Sequence, residues 1–202
     1  MAPAAERNCE MAQGNSSVFP RISSSRKIRL SEWVTIVENR VIVAPHDDGA
    51  VYHSVCTADY VSILAVRSDG RIPLVRQFRP ALNQITIEFP SGLRDGDEQP
   101  ETCAVRELAE EVGLKVLSVQ PLAVFFPDAG RVSNRMWTYF ASNAVAISGW
   151  APEVGVEPVT VGLDELHGWV LDGSFNHGPH LAMLGVATIK GLLPLPRARE
   201  GA

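Results

Sequence analysis

Apolar positions along the chain come in two textures. Between Lys27 and Pro90 they form short β-branched runs, WVTIVENRVIV, HDDGAVYHSV, YVSILAV, RIPLVRQF and ITIEFP. Runs of this kind, bounded by Gly, Pro, Asn and Asp, predict strands. Asp48-Gly49 predicts a hairpin turn, Ser68-Asp69-Gly70 separates the next two strands, and Pro90 with Ser91-Gly92 closes the last. Residues 100 to 112 predict a helix instead. Pro100 suits a first-turn position, acidic residues crowd the N-terminal side and Gly113 is placed as a C-cap. Beyond it, VLSVQPLAVFF and RMWTYFASNAV read as strands flanking the loop Pro127-Asp128-Ala129-Gly130. A second helix is predicted from near Leu163-Asp164-Glu165 and a third over about Leu181 to Leu193. There are no internal repeats. Strands, a helix, strands and then helices predict an α/β or α+β layered domain with a mixed sheet.

The 202 residues are 46% apolar and 20% charged, which suits one domain with a sizeable core. A net charge of −5 argues against a nucleic-acid partner and leaves room for a cation-assisted site. Phosphate substrates remain compatible, because bound metal ions can supply positive charge. Three widely spaced cysteines, Cys9, Cys56 and Cys103, match neither a disulfide framework nor a zinc knuckle and point to a reducing compartment. No apolar run reaches the roughly 20 residues of a membrane span, and MAPAAERNCEMAQGNSS lacks a secretory apolar core. The expected location is cytoplasmic, with no membrane contact.

The segment GLRDGDEQPETCAVRELAEEVGL carries the densest chemistry. On a helical wheel at about 100° per residue, Glu107, Glu110 and Glu111 share one face, with Glu111 about 40° and Glu110 about 60° to either side of Glu107. Val105, Leu108 and Val112 fall on the opposite side as the expected core face. Arg106 and Glu110 stand at i,i+4, where the guanidinium can orient the carboxylate. An amphipathic surface helix would show much of this pattern. Three mutually repelling glutamates with one arginine at hand fit better with a hard divalent cation.

These residues match the Nudix box, G-x5-E-x7-R-E-U-x-E-E-x-G-U, at every defined position: Gly92, Glu98, Arg106, Glu107, Leu108, Glu110, Glu111, Gly113 and Leu114. The resemblance implies an α/β/α sandwich with a mixed sheet and hydrolysis of a nucleoside diphosphate linked to another group. By match to the motif, Glu107, Glu110 and Glu111 would be ligands of Mg2+ (or Mn2+), with the Ser91 carbonyl as a further ligand, and Glu98 and Arg106 would orient the helix face.

The flanks narrow the expectation. LVRQFRPALNQITIEFPSG resembles the ADP-ribose (ADP-sugar) pyrophosphatase sub-group, and the looser similarity runs from about Trp33 to Leu193. It implies ADP-ribose cleavage to AMP and ribose 5-phosphate, with Arg79 on substrate phosphate, Glu88 helping to hold metal, and Gly92 in the turn beside the substrate. Trp33 and Tyr52 would stack on adenine, and a homodimer exchanging N-terminal strands would be expected. Two positions depart from the sub-group. Ala129 stands where a proline is usual, sixteen residues after Gly113, and Asn134 stands where some bacterial members carry a catalytic glutamate. Glu153 and Glu157, in EVGVEP, are the remaining candidates for the general base.

The histidines read blandly. His177-Gly178-Pro179-His180 has no Cys/His partner pair and is taken as a loop and N-cap segment. Trp150 and Trp169 read as core or interface residues. The competing function is a Nudix fold that binds a nucleotide sugar without hydrolysing it, or a hydrolase acting on another nucleoside diphosphate derivative. The expected organisation is a flexible segment 1–26, a dimerising β arm 27–57, a Nudix domain 58–195 and a flexible tail 196–202.

Overall fold

The computed structural model describes residues 19–195; the flexible tail expected at 196–202 and the first eighteen residues of the expected N-terminal segment lie outside them. The chain divides into two compact units. Of the described residues, one holds those from 19 to 60 with Arg94–Asp97 and Phe126–Met136; the other holds Val61–Leu93, Glu98–Phe125 and residues 137 to 195.

The first unit contains a three-stranded antiparallel sheet of β1 (Arg21–Arg29), β2 (Thr35–Ile42) and β3 (Ala50–Cys56) in the order β1-β2-β3. β1 corrects the sequence expectation of a flexible segment over residues 21–26: Arg26 pairs opposite Glu38 and their side chains bond at 2.9 Å. Thr35, Val37 and Asn39 alternate inward along β2, the period-2 signature of a half-buried strand. Cys56 is fully buried against Val37, and Cys103 is a buried free thiol.

In the second unit, β4 (Tyr60–Arg67), β7 (Ser91–Leu93), β10 (Met136–Ala146) and β8 (Leu114–Lys115) run in the order β7-β4-β10-β8, with β9 (Gln120–Phe125) also on β10. A second sheet places β5 (Ile72–Arg79) between β11 (Val156–Val161) and β6 (Gln84–Glu88). β4 is buried from Val61 to Ala65 without alternation, as a strand covered on both faces must be. The run VLSVQPLAVFF, expected as one strand, is broken into β8 and β9 around residues 116–119. The architecture is mixed α/β with a curled mixed sheet and additional N-terminal strands.

Three helices complete the chain: α1 (Pro100–Val112), α2 (Leu163–Asp172) and α3 (Gly178–Ile189). α1 has the predicted bounds. Its core face is Cys103, Ala104, Leu108 and Val112, packed with Val61, Ile63, Ala65 and Tyr139, whereas Val105 is only half-buried. A fully buried leucine such as Leu108 contributes roughly 1.5–3 kcal/mol relative to exposure. α3 begins three residues before the expected Leu181 because Pro179 fits its first turn. His180, Met183, Leu184 and Ala187 are its buried positions, spaced i, i+3, i+4, i+7. Among the described residues no helix is long and apolar enough to cross a membrane.

Candidate functional site

α1 is anchored at its C-terminus by a left-handed residue, Gly113 at φ 64°, whose N–H closes onto Ala109 O at 3.1 Å. The Trp150 ring lies against this cap, so that a Cβ at Gly113 would approach it to 2.3 Å, and Trp150 Nε1 donates to Glu110 O at 3.1 Å. The helix is thereby held with its acidic residues in a fixed rotation.

Arg106 organises those residues. Its guanidinium donates to both Glu98 oxygens at 3.1 and 3.0 Å, to Glu107 Oε1 at 2.7 Å, to Glu110 Oε2 at 2.8 Å and to Leu93 O at 3.2 Å. One planar cation with several donors can satisfy three carboxylates at once only because they converge on it. The Glu98 carboxylate is the main reason the Arg106 proton is held above the ordinary arginine range. Cys103, beneath this cluster, has its thiol pushed up to about 12 by burial and by Glu98, which makes it inert as a nucleophile.

Glu107 and Glu111 are 7% and 5% exposed, whereas Glu110 is exposed. Burial pushes the Glu111 carboxyl up to about 7, although the Ser91 N–H donates to its Oε2 at 2.8 Å. Burial likewise raises Glu107, with the Arg106 charge opposing. Gly92 explains how the carboxylate of Glu107 stands where it does: a Cβ at that position would lie 2.0 Å from Oε1. Two buried carboxylates beside a bare glycine backbone form an all-oxygen donor set short of positive charge, and such a set fits a hard divalent cation.

Beside them, Glu88 is 1% exposed and fully engaged. Arg79 grips it with two parallel bonds of 2.8 and 2.6 Å, and Thr86 Oγ1 donates to it at 2.6 Å. Despite the burial cost, these donors hold the Glu88 carboxyl down at about 2. Glu88, His177 and His180 offer atoms within 4.8 Å of one another, a spacing that would suit a transition metal. The donor set does not fit one. Glu88 is occupied by Arg79 and Thr86, and His180 Nδ1 accepts the Phe89 N–H at 3.2 Å.

The second unit therefore brings together Arg79, Glu88, Ser91, Gly92, Glu98, Arg106, Glu107, Glu110 and Glu111. Glu157 lies opposite Arg76 and pairs with it at 3.4 Å, and Glu153 is exposed ahead of β11; among the described residues neither forms a hydrogen bond or ion pair with α1. Trp33, Tyr52 and Ala129 belong to the first unit. Trp33 and Tyr52 are 59% and 56% exposed, so neither is a core aromatic. Ala129 lines a cleft of about 410 Å3 with Ser54, Phe126, Gly130, Arg131 and Val132. Asn134 is buried and donates to Ala58 O at 3.2 Å, a local packing role. Sequence reasoning missed His180. A lone histidine in a Gly-Pro segment carries no signal of its own, and only its place at the head of an i, i+3, i+4, i+7 stripe could have marked it as buried.

Comparison with known proteins matches the NUDIX domain profile to residues 57–172. The chain belongs to the Nudix family. Its relatives include the ADP-ribose pyrophosphatase of Bacillus subtilis, 37% identical over 81 residues that make up 40% of this chain and 44% of that protein. A GDP-mannose pyrophosphatase of Yersinia enterocolitica is 32% identical over 142 residues, covering 65% of this chain and 73% of that one. The ADP-sugar pyrophosphatase of Mus musculus is 41% identical over 88 residues, or 41% and 40% of the two chains. The match thus spans less than half the length of the Bacillus subtilis and Mus musculus proteins. The crystal structure of an ADP compounds hydrolase superposes with a TM-score of 0.75 at 21% identity, covering 90% of this chain and 100% of that one. This likeness establishes the Nudix fold, with its α/β/α layers.

Proposed function

We propose that the protein hydrolyses the pyrophosphate bond of a nucleoside diphosphate sugar, with ADP-ribose as the first candidate, using Mg2+ or Mn2+ and acting as a cytoplasmic homodimer. The observation that carries this reading is the pair of buried, under-compensated carboxylates Glu107 and Glu111 beside Gly92. Those two, with Glu110 and the Ser91 carbonyl, would hold the cation. A divalent ion held by these residues would supply charge to neutralise the diphosphate and would acidify a bound water.

The chain's own residues do the rest. Arg106 keeps three glutamates aligned, so that the oxygens need not be collected at the moment of reaction. Arg79, 40% exposed on its side chain and held in line by Glu88, presents guanidinium edge to a substrate phosphate. Glu153 and Glu157 remain the proposed bases, and Trp33, Tyr52 and the Ala129 loop the proposed contacts to the nucleoside. The names of the pyrophosphatase relatives support the substrate class.

The test is purified protein with Mg2+ against ADP-ribose, other nucleotide sugars, NADH, dinucleoside polyphosphates and oxidised deoxynucleoside triphosphates. Turnover of ADP-ribose to AMP and ribose 5-phosphate is expected. Turnover of triphosphates or dinucleoside polyphosphates alone would reject the substrate assignment.

A further inference from the structure

We infer that His180 is a positioning residue for Glu111, acting from α3 through the turn Phe89–Pro90–Ser91. The inference rests on the proposed role of Glu111 as a cation ligand.

His180 is fully buried, and both ring nitrogens are committed to that turn. Nδ1 accepts the Phe89 N–H at 3.2 Å, so in the neutral ring the proton sits on Nε2. Two hydroxyls face Nε2, Ser91 Oγ at 3.3 Å and Ser62 Oγ at 3.4 Å. Each has already spent its own hydrogen, Ser91 Oγ on Phe89 O at 2.7 Å and Ser62 Oγ on Pro90 O at 3.2 Å. Both therefore turn lone pairs to the Nε2 proton. The pattern has one consistent assignment of hydrogens, and it ties all three residues of the turn to one side chain. A fourth bond passes the constraint on: the Ser91 N–H donates to Glu111 Oε2 at 2.8 Å.

The ring itself cannot rotate away. Phe175 lies nearly parallel to it with centroids 6.5 Å apart, and Phe89 is tilted against it at 5.5 Å. Phe89 and Phe175 meet edge to face at 5.3 Å. β4 holds one side of this turn through the Ile63 N–H on Pro90 O at 3.0 Å, and α3, whose His180 lies 91 residues downstream of Phe89, adds the bonds to Phe89 and Ser91. Outer partners of this kind orient ligands and typically set about 10–100-fold of metal affinity.

The experiment measures Mn2+ binding to the purified full chain by calorimetry and by electron paramagnetic resonance, alongside thermal melting. His180→Phe keeps a ring but removes both bonds, and its Mn2+ affinity is expected to fall about tenfold or more. His180→Asn retains an acceptor where Nδ1 stood and should fall between the two. Leu184→Ala, a cavity on the same helix that leaves the turn alone, should melt earlier yet bind Mn2+ as wild type does. Wild-type affinity in a folded His180→Phe protein overturns the inference, as does an equal loss in Leu184→Ala. Should His180→Phe not fold, Ser91→Ala decides: it keeps the N–H to Glu111 but loses the hydroxyl, and unchanged affinity there overturns the inference. A wild-type protein that binds no Mn2+ rejects instead the proposed cation site.

Discussion

The backbone of Gly92 and the carboxylate of Glu107 occupy adjoining space so closely that a single methyl group at residue 92 would overlap the carboxylate, 2.0 Å from Oε1 and 2.4 Å from Oε2. Gly92 has no positive φ, so alanine meets no backbone penalty there. The cost falls on Glu107, which must swing away and release its 2.7 Å bond to Arg106. Gly92→Ala is expected to fold normally and to lose about a hundredfold in kcat through the displaced ligand. Circular dichroism and steady-state kinetics check this together.

Removing the charges directly should act on the same step. Glu107→Gln and Glu111→Gln are each expected to lower kcat roughly a hundredfold or more, since an amide replaces a carboxylate oxygen in a hard-cation site. Near-wild-type rates in either variant would remove the cation role from that position.

Arg79 is expected to matter for stability as well as turnover. Arg79→Ala strands the buried Glu88 carboxylate, which among the described residues then keeps its Thr86 partner alone. Breaking a fully buried pair costs about 3–5 kcal/mol, and the partial exposure of Arg79 reduces this to about 2–3 kcal/mol. Adding Glu88→Gln should recover part of the loss in denaturant melts. Arg79→Ala without measurable destabilisation would show that Glu88 draws its support elsewhere.

Metal-free protein should show an unusual pH profile. His180 is pushed down to about 3 from 6.5, so its contribution is present above pH 6.5 and is lost as pH falls toward 3. Glu111 runs the other way: raised from 4.5 to about 7, it stabilises the fold below 4.5 and loses that contribution as pH rises through 7. Each alone gives a slope near 1.4 kcal/mol per pH. Between pH 6.5 and 4.5 the slopes oppose, and stability in chelator should stay nearly level. Below 4.5 Glu88, held down at about 2, joins His180 and stability should drop steeply. Glu111→Gln removes the opposing slope, so decline should begin at about pH 6.5. Guanidinium melts across this range provide the check, and an unchanged profile in Glu111→Gln would refute the assignment.

The N-terminal sheet exposes Ile22, Ile28, Val51 and Tyr52, and β1 stands at one end of its strand order. Light scattering of the full chain is expected to report twice the chain mass. A strictly monomeric species with full activity would reject the proposed dimer.

The helix of the site was legible because each signal agreed: proline at the start, glycine at the end, and charges spaced at the period of the coil. The strand β1 was not. RISSSRKIR is polar, and almost every side chain on it is exposed, so it owes its form to backbone pairing with β2 rather than to a buried face that patterning could reveal. The Arg79–Glu88 grip and the His180 hub escaped for a different reason. Their partners lie on separate elements, and in the case of Ser62 and His180 they are 118 residues apart. The motif pointed to residues of α1, but it carried no information about what holds the turn opposite them.

The indole of Trp150, folded over Gly113 and bonded to Glu110 O, gives the molecule an optical gauge at the end of its acidic helix. Its emission responds to loss of the hydrogen bond and to water reaching the ring. In a protein whose Trp33, Trp137 and Trp169 are replaced by phenylalanine, the fluorescence of that single residue would read the seating of α1 directly, without substrate, and could follow cation binding in real time.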